Sequence, residues 1–165
     1  MPRPKSTKTI EERLDQIEDY IEIMQLLCAY GPAADATNWD LITKIWAEDS
    51  TYEIGGIGTF EGHEGLKQAF YGDFHQGLMQ SGSGHVSSMP HVVIDGDRAS
   101  ATHHGTLYKQ IDGKFPVIRL VASRWELERR DGAWVVIKRT NEVLQENPRA
   151  RDLLSRVCEG PAASA

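Results

Sequence analysis

Three Asp-Gly pairs, Asp95-Gly96, Asp112-Gly113 and Asp131-Gly132, punctuate the second half of this chain and constrain its fold more than any other feature. Tight hairpin turns that match strand twist need residues with φ > 0, and Asp-Gly supplies them at little steric cost. Around these pairs hydrophobicity alternates with period two over residues 85–94, 98–109, 115–128 and 133–142. Alternating runs joined by such turns predict an antiparallel meander of about four strands. On the last run the alternation groups Val135, Ile137, Arg139 and Asn141 on one side, and Trp134, Val136, Lys138 and Thr140 on the other.

The first half carries a different period. Thr9-Ile10-Glu11-Glu12 has the form of a capping box, in which Thr9 and Glu12 satisfy each other's backbone donors. Ile10, Leu14, Ile17, Ile21, Met24 and Cys28 follow at steps of four and three, which predicts the buried face of a long helix. Gly31-Pro32 is expected to interrupt it. A second helix begins near Asn38 with Trp39, Ile42, Ile45 and Trp46 on its apolar side, and Asp49-Ser50 closes it. A strand over 51–54, a glycine turn at Gly55, Gly56 and Gly58, a third helix over about 63–71 and a mobile Gly/Ser loop over 72–84 complete the half. Helices first and sheet after define an α+β domain with helices on one face of a curved antiparallel sheet. The domain spans 9–145, preceded by a basic arm at 1–8 and followed by a tail, 146–165, with a short helix near 152–157.

Composition narrows the function. The chain has 165 residues, 40% of them hydrophobic and 25% charged, which suits one globular domain large enough to hold an internal cavity. A formal charge of −6 argues against nucleic acid and acidic membrane surfaces as partners. Cys28 and Cys158 fit neither a disulfide framework nor a zinc site. No apolar run follows the basic N-terminus and none is long enough to span a bilayer, so the expected compartment is the cytoplasm.

The order of motifs resembles a known family. A long helix ends in Tyr30 and Asp35, Trp39-Asp40 opens the next, and "IWAEDSTYEIGGIGTFEGHEG", "HVSSMPHVVIDGDRA" and "WELERRDGAWVVIKR" follow. Together they look like the SnoaL-like branch of the nuclear transport factor 2-like superfamily, nearest to scytalone dehydratase, bile acid 7α-dehydratase and hexachlorocyclohexane dehydrochlorinase. The likeness runs from about residue 10 to residue 143. It implies a cone-shaped sheet closed by three helices around a deep pocket, and a homo-oligomer, dimer or trimer. It implies neither metal nor organic cofactor.

The resemblance places a catalytic Asp on Asp35, a His on His85 and an active-site Arg on Arg139. The dehydrochlorinase's Lys falls on Tyr30, where the dehydratases carry a Tyr. Tyr52 falls near a second pocket Tyr, and His103 or His104 near a second His, with His103 preferred as the inward one. Arg119, Ser123 and Asn141 complete the expected pocket set. His63, His75 and His91 read as surface residues. A His held by a carboxylate is a general base at neutral pH, and a Tyr or Arg opposite can polarise a carbonyl or assist a leaving group. The implied activity is a cofactor-independent lyase acting on a small, largely apolar, ring-containing molecule (aromatic, alicyclic or steroid-like). A ketosteroid-isomerase-like proton shuttle and a non-catalytic subunit, like the small subunit of ring-hydroxylating dioxygenases, are the alternatives.

Overall fold

A computed structural model describes residues 7–162; most of the expected N-terminal arm and the last three residues lie outside the described residues. Helix α1 (Ile10–Asp35) starts at the capping box: Thr9 Oγ1 accepts from Glu12 N at 3.1 Å and Glu12 Oε2 accepts from Thr9 N at 2.7 Å. Its buried stripe is not the one the spacing predicts. Ile23, Leu27, Tyr30, Ala33 and Ala34 face the sheet, whereas Ile10, Leu14, Ile17, Ile21 and Cys28 are exposed. Nor does Gly31-Pro32 end the helix. Pro32 forfeits one donor, but the last turn closes regardless, with Ala36 N–H on Pro32 O at 3.0 Å.

Helix α2 (Trp39–Ile45) is capped by Asn38, whose side chain accepts from Leu41 N. It stops at Ile45 rather than Ser50, because Trp46 already opens strand β1 (Trp46–Ile54). Strand β2 (Gly58–Glu61) folds back on β1, and helix α3 (Gly62–Tyr71) follows. The expected Gly/Ser loop is ordered as helix α4 (Asp73–Gln80) and strand β3 (Ser83–Ser87), so four helices rather than three form the first half. Gln76 supplies part of the reason: its amide donates to Phe70 O at 2.8 Å and ties α4 to the end of α3.

The remaining strands are β4 (His91–Asp95), β5 (Arg98–Lys109), β6 (Val117–Arg130) and β7 (Ala133–Val143). The single strand expected over 85–94 is two, both antiparallel to β5, with Pro90 in the break. Two of the three Asp-Gly pairs form the expected turn with both residues at φ > 0: Asp112 and Gly113 at 50° and 76°, Asp131 and Gly132 at 52° and 83°. At the third only Gly96 (57°) is left-handed, and the turn slides to Gly96-Asp97.

The sheet order is β2-β1-β7-β6-β5-β3, with β4 also on β5. Every pairing is antiparallel except β1 with β7. The curved, unclosed sheet wraps a core of Ile23, Leu27, Trp46, Leu66, Trp125 and Val136. The strict alternation expected along β7 breaks at Ile137, where Glu126 pairs with Lys138 but Leu127 with Val136. That bulge puts Trp134 and Val136 on the same buried side as Arg139 and Asn141. Helix α5 (Pro148–Ser155) lies against Ala122 on the opposite face. The chain beyond it is pinned there by Arg124, which donates to the carbonyls of Arg156 (3.0 Å), Glu159 (3.3 Å) and Gly160 (2.8 Å).

Candidate active site

Between the concave face of the sheet and helices α1, α3 and α4 lies a cavity of about 140 Å³. Its wall is largely apolar, from Ile54, Phe60, Phe74, Leu78, Leu107 and Val121. Polar groups enter it from His75, His85, Arg119, Arg139, Asn141 and the phenols of Tyr30 and Tyr52.

Asp35 is the last residue of α1 and His85 the middle of β3, fifty residues apart. The structure brings them together: Asp35 Oδ1 lies 2.6 Å from His85 Nδ1, and Oδ2 accepts from the His85 backbone N–H at 2.9 Å. With Nδ1–H committed to the carboxylate, Nε2 is the ring's acceptor. One glycine permits the approach: a Cβ on Gly31 would stand 2.7 Å from the His85 carbonyl oxygen. Asp35 stands behind His85 and is not itself part of the cavity wall.

Across the cavity a buried hydrogen-bonded set surrounds Arg139. Its Nη1 donates to Tyr52 OH at 2.9 Å and its Nε to Ser123 Oγ at 3.0 Å. Tyr30 OH lies 3.1 Å from Tyr52 OH. Aromatic faces complete the surroundings, with the guanidinium carbon 4.1 Å from the Trp125 centroid and 4.2 Å from that of Tyr30. No carboxylate among the described residues forms an ion pair with Arg139, so the charge is buried against rings and neutral oxygens. Burial raises the Tyr30 pKa well above the ordinary phenol value, against a smaller lowering by Arg139, so the group stays protonated. Two hydroxyls bonded to each other use one proton between them. The other phenol proton is therefore available to the cavity.

The other expected pocket residues divide. Arg119 and Asn141 reach the wall; Arg119 donates to Gly55 O at 2.7 Å, and Asn141 Nδ2 lies 3.5 Å from Tyr52 OH. Ser123 and His103 sit one layer back. His103 faces inward and His104 outward. His103 is nevertheless fully engaged: Nδ1–H donates to the His104 carbonyl at 2.9 Å and Nε2 accepts from Trp125 Nε1 at 2.7 Å. Desolvation, with the charge of Arg139 adding to it, pushes its pKa down to about 4, so it is a neutral strut.

His75 overturns its surface reading. It is 8% exposed, lines the cavity and stacks on His85 with centroids 5.8 Å apart. Neither ring nitrogen makes a close hydrogen bond among the described residues, and desolvation followed by the His85 charge lowers its pKa against smaller raising effects of the Phe70 backbone and Asp35. Its place on α4 hid it, since 72–84 reads as loop. His63 is half-buried, with Nε2 3.0 Å from Trp46 O, while His91 is exposed as expected. No group of three or more His, Cys, Asp or Glu side chains among the described residues could hold a metal ion.

A curved sheet folded by helices around a polar-ended cavity is the architecture of the nuclear transport factor 2-like class. The sequence matches the model of the SnoaL-like domain over residues 15–140, and the chain belongs to that family. An NTF2-like protein with a cystatin-like fold from Novosphingobium aromaticivorans is 30% identical, covering 90% of this chain and 99% of its own, with a TM-score of 0.85. The hexachlorocyclohexane dehydrochlorinase LinA-type3 from Novosphingobium barchaimii LL02 is 19% identical over 81% of this chain and 91% of its own (TM-score 0.67). A LinA structure is 23% identical over 81% and 90% (TM-score 0.64). No curated protein matches the sequence.

Proposed function

We propose that the protein is a cofactor-independent lyase in which His85, oriented by Asp35, removes a proton from carbon while the Tyr30–Tyr52–Arg139 set assists the departing group. The observation that carries this reading is the 2.6 Å contact between Asp35 Oδ1 and His85 Nδ1 at the wall of the cavity. The carboxylate fixes the tautomer that leaves Nε2 basic and stabilises the imidazolium formed when it takes the proton. The C–H electron pair becomes a C=C bond, and the leaving group departs with its own bonding pair toward the spare phenol proton and the guanidinium. The fold neighbour named as a dehydrochlorinase is in keeping with this class of chemistry.

The cavity bounds the substrate. About 140 Å³ is close to the volume of an apolar cavity that accepts one benzene-sized ring. The substrate is therefore a single ring with an oxygen or halogen function directed at Arg139, any extension leaving through the mouth. His75 offers a neutral hydrogen-bonding edge to the same ligand.

The test is a screen of hydroxylated, halogenated and keto monocyclic compounds against wild type, His85→Ala and Asp35→Asn, with products identified by mass. Elimination by wild type that falls about 10³-fold in His85→Ala and about 10²-fold or more in Asp35→Asn is the expected result. Near-normal turnover by folded His85→Ala would sink the mechanism. Products of unchanged mass with a shifted double bond would reassign the enzyme to proton-shuttling isomerases.

A further inference from the structure

The apolar stripe of α1 that misses the core has its own geometry. Ile10, Leu14, Ile17, Ile21, Met24 and Cys28 follow one another by alternating steps of four and three over 19 residues of chain. At about 100° per residue all six lie within about 40° of one line along the helix. Ile23, Leu27, Tyr30 and Ala34, which pack on the sheet, lie about 130° further round. A strict 3.5-residue apolar repeat is the signature of a coiled-coil seam, narrower than the stripe a helix buries against its own domain.

The seam is open. Ile10 is 77% exposed, and Leu14, Ile17 and Ile21 are each just over 50% exposed. From Ile10 to Glu22 every residue is exposed except Asp19, whose carboxylate accepts from Arg129 and Trp134 and tethers this stretch to the sheet. Thirteen residues of helix held by one anchor and a capping box are marginal alone in water. An exposed apolar row of this length calls for a partner.

We propose that the partner is a second copy of this chain, with the two α1 helices packed in parallel along this seam. Charge selects the occupant and the direction. Glu11 and Glu18 border the seam on one side and Arg13 borders it on the other, and neither Glu18 nor Arg13 forms an ion pair among the described residues of its own subunit. In a parallel pair Arg13 faces residue i+5 across the seam, which is Glu18 of the other copy, and the symmetry makes that pair twice. An antiparallel pair would instead set the two Glu rows against each other. Parallel packing also puts the two Cys28 side chains opposite one another at the carboxyl end of the seam.

The experiment measures mass in solution by sedimentation equilibrium for full-length wild type, Leu14→Glu/Ile17→Glu, Arg13→Glu and Arg13→Glu/Glu18→Arg, with circular dichroism to confirm folding. Wild type is expected as a dimer, the double glutamate variant as a folded monomer. Arg13→Glu should weaken the dimer about tenfold, and the charge-swapped double variant should restore it. Mild oxidation of a Cys158→Ser protein should then yield a dimer linked through Cys28. A wild-type monomer at tens of micromolar, or a dimer that survives Leu14→Glu/Ile17→Glu, overturns the proposal. So does a dimer abolished only by Ile118→Glu on the exposed start of β6, or one with no Cys28 cross-link.

Discussion

His103 shows how a residue can look catalytic and act as a strut. Both its ring nitrogens are used, one toward a carbonyl and one toward the Trp125 indole. Its pKa near 4 in the folded protein lies below the 6.5 of an unfolded histidine. In the window between those values the unfolded chain binds a proton that the native state refuses, so stability is fully present above about pH 6.5 and declines as pH falls toward 4. The loss is on the order of 3 kcal/mol. Urea unfolding at pH 7 and pH 4.5 should show this drop, and His103→Gln, which keeps an acceptor for Trp125, should shrink it. An undiminished drop in that variant would assign the pH effect to other groups. Asp35, His85, Tyr30 and Arg139 were legible only through the resemblance to the SnoaL-like family, because taken singly they read as a turn residue, a strand start, a core aromatic and a surface arginine. His75 was not: nothing local distinguishes a buried imidazole from an exposed one in a glycine-flanked segment.

Elements were legible where one physical signal dominated. Helix α1 starts where its capping box says, and β5 runs over the predicted residues, because alternation and turn chemistry agree there. The signal failed where packing overrode it. The a/d-like stripe of α1 reads as a core face but points away from the sheet, and the Ile137 bulge reverses the alternation of β7 midway. The close passage of α1 over β3 is likewise invisible in sequence, although Gly31 is its trace. Gly31→Ala would drive a methyl to 2.7 Å from the His85 carbonyl oxygen, with backbone on both sides and no flexible side chain to yield. The expected outcome is a loss of about 1–3 kcal/mol in stability and a larger proportional loss of turnover, because the Asp35–His85 contact opens. Thermal unfolding and steady-state kinetics on the same preparation test it; unchanged values for both would show that the helix end shifts freely.

At the scale of the molecule, the two faces of the sheet have different tasks. The concave face and its helices hold the cavity, while the other face carries α5 and the chain that follows it. Arg124 holds that chain through three backbone carbonyls, is braced on its own strand by Glu126, and is itself only 3% exposed. Arg124→Met removes the donors and strands those carbonyls, at a cost of about 2–4 kcal/mol. The variant should become sensitive to proteases beyond Ser155 yet keep its activity toward any substrate wild type turns over. Limited proteolysis with mass readout decides it, and a tail as resistant as wild type would count against the clamp.

The guanidinium of Arg139, wedged between Trp125 and Tyr30, also makes the molecule its own optical probe. Indole emission responds to electric field, and Trp125 lies against a fixed positive charge whose surroundings change when a ligand oxygen or halogen arrives beside it. Binding should therefore register as a change in intrinsic tryptophan fluorescence, even for compounds that are never turned over.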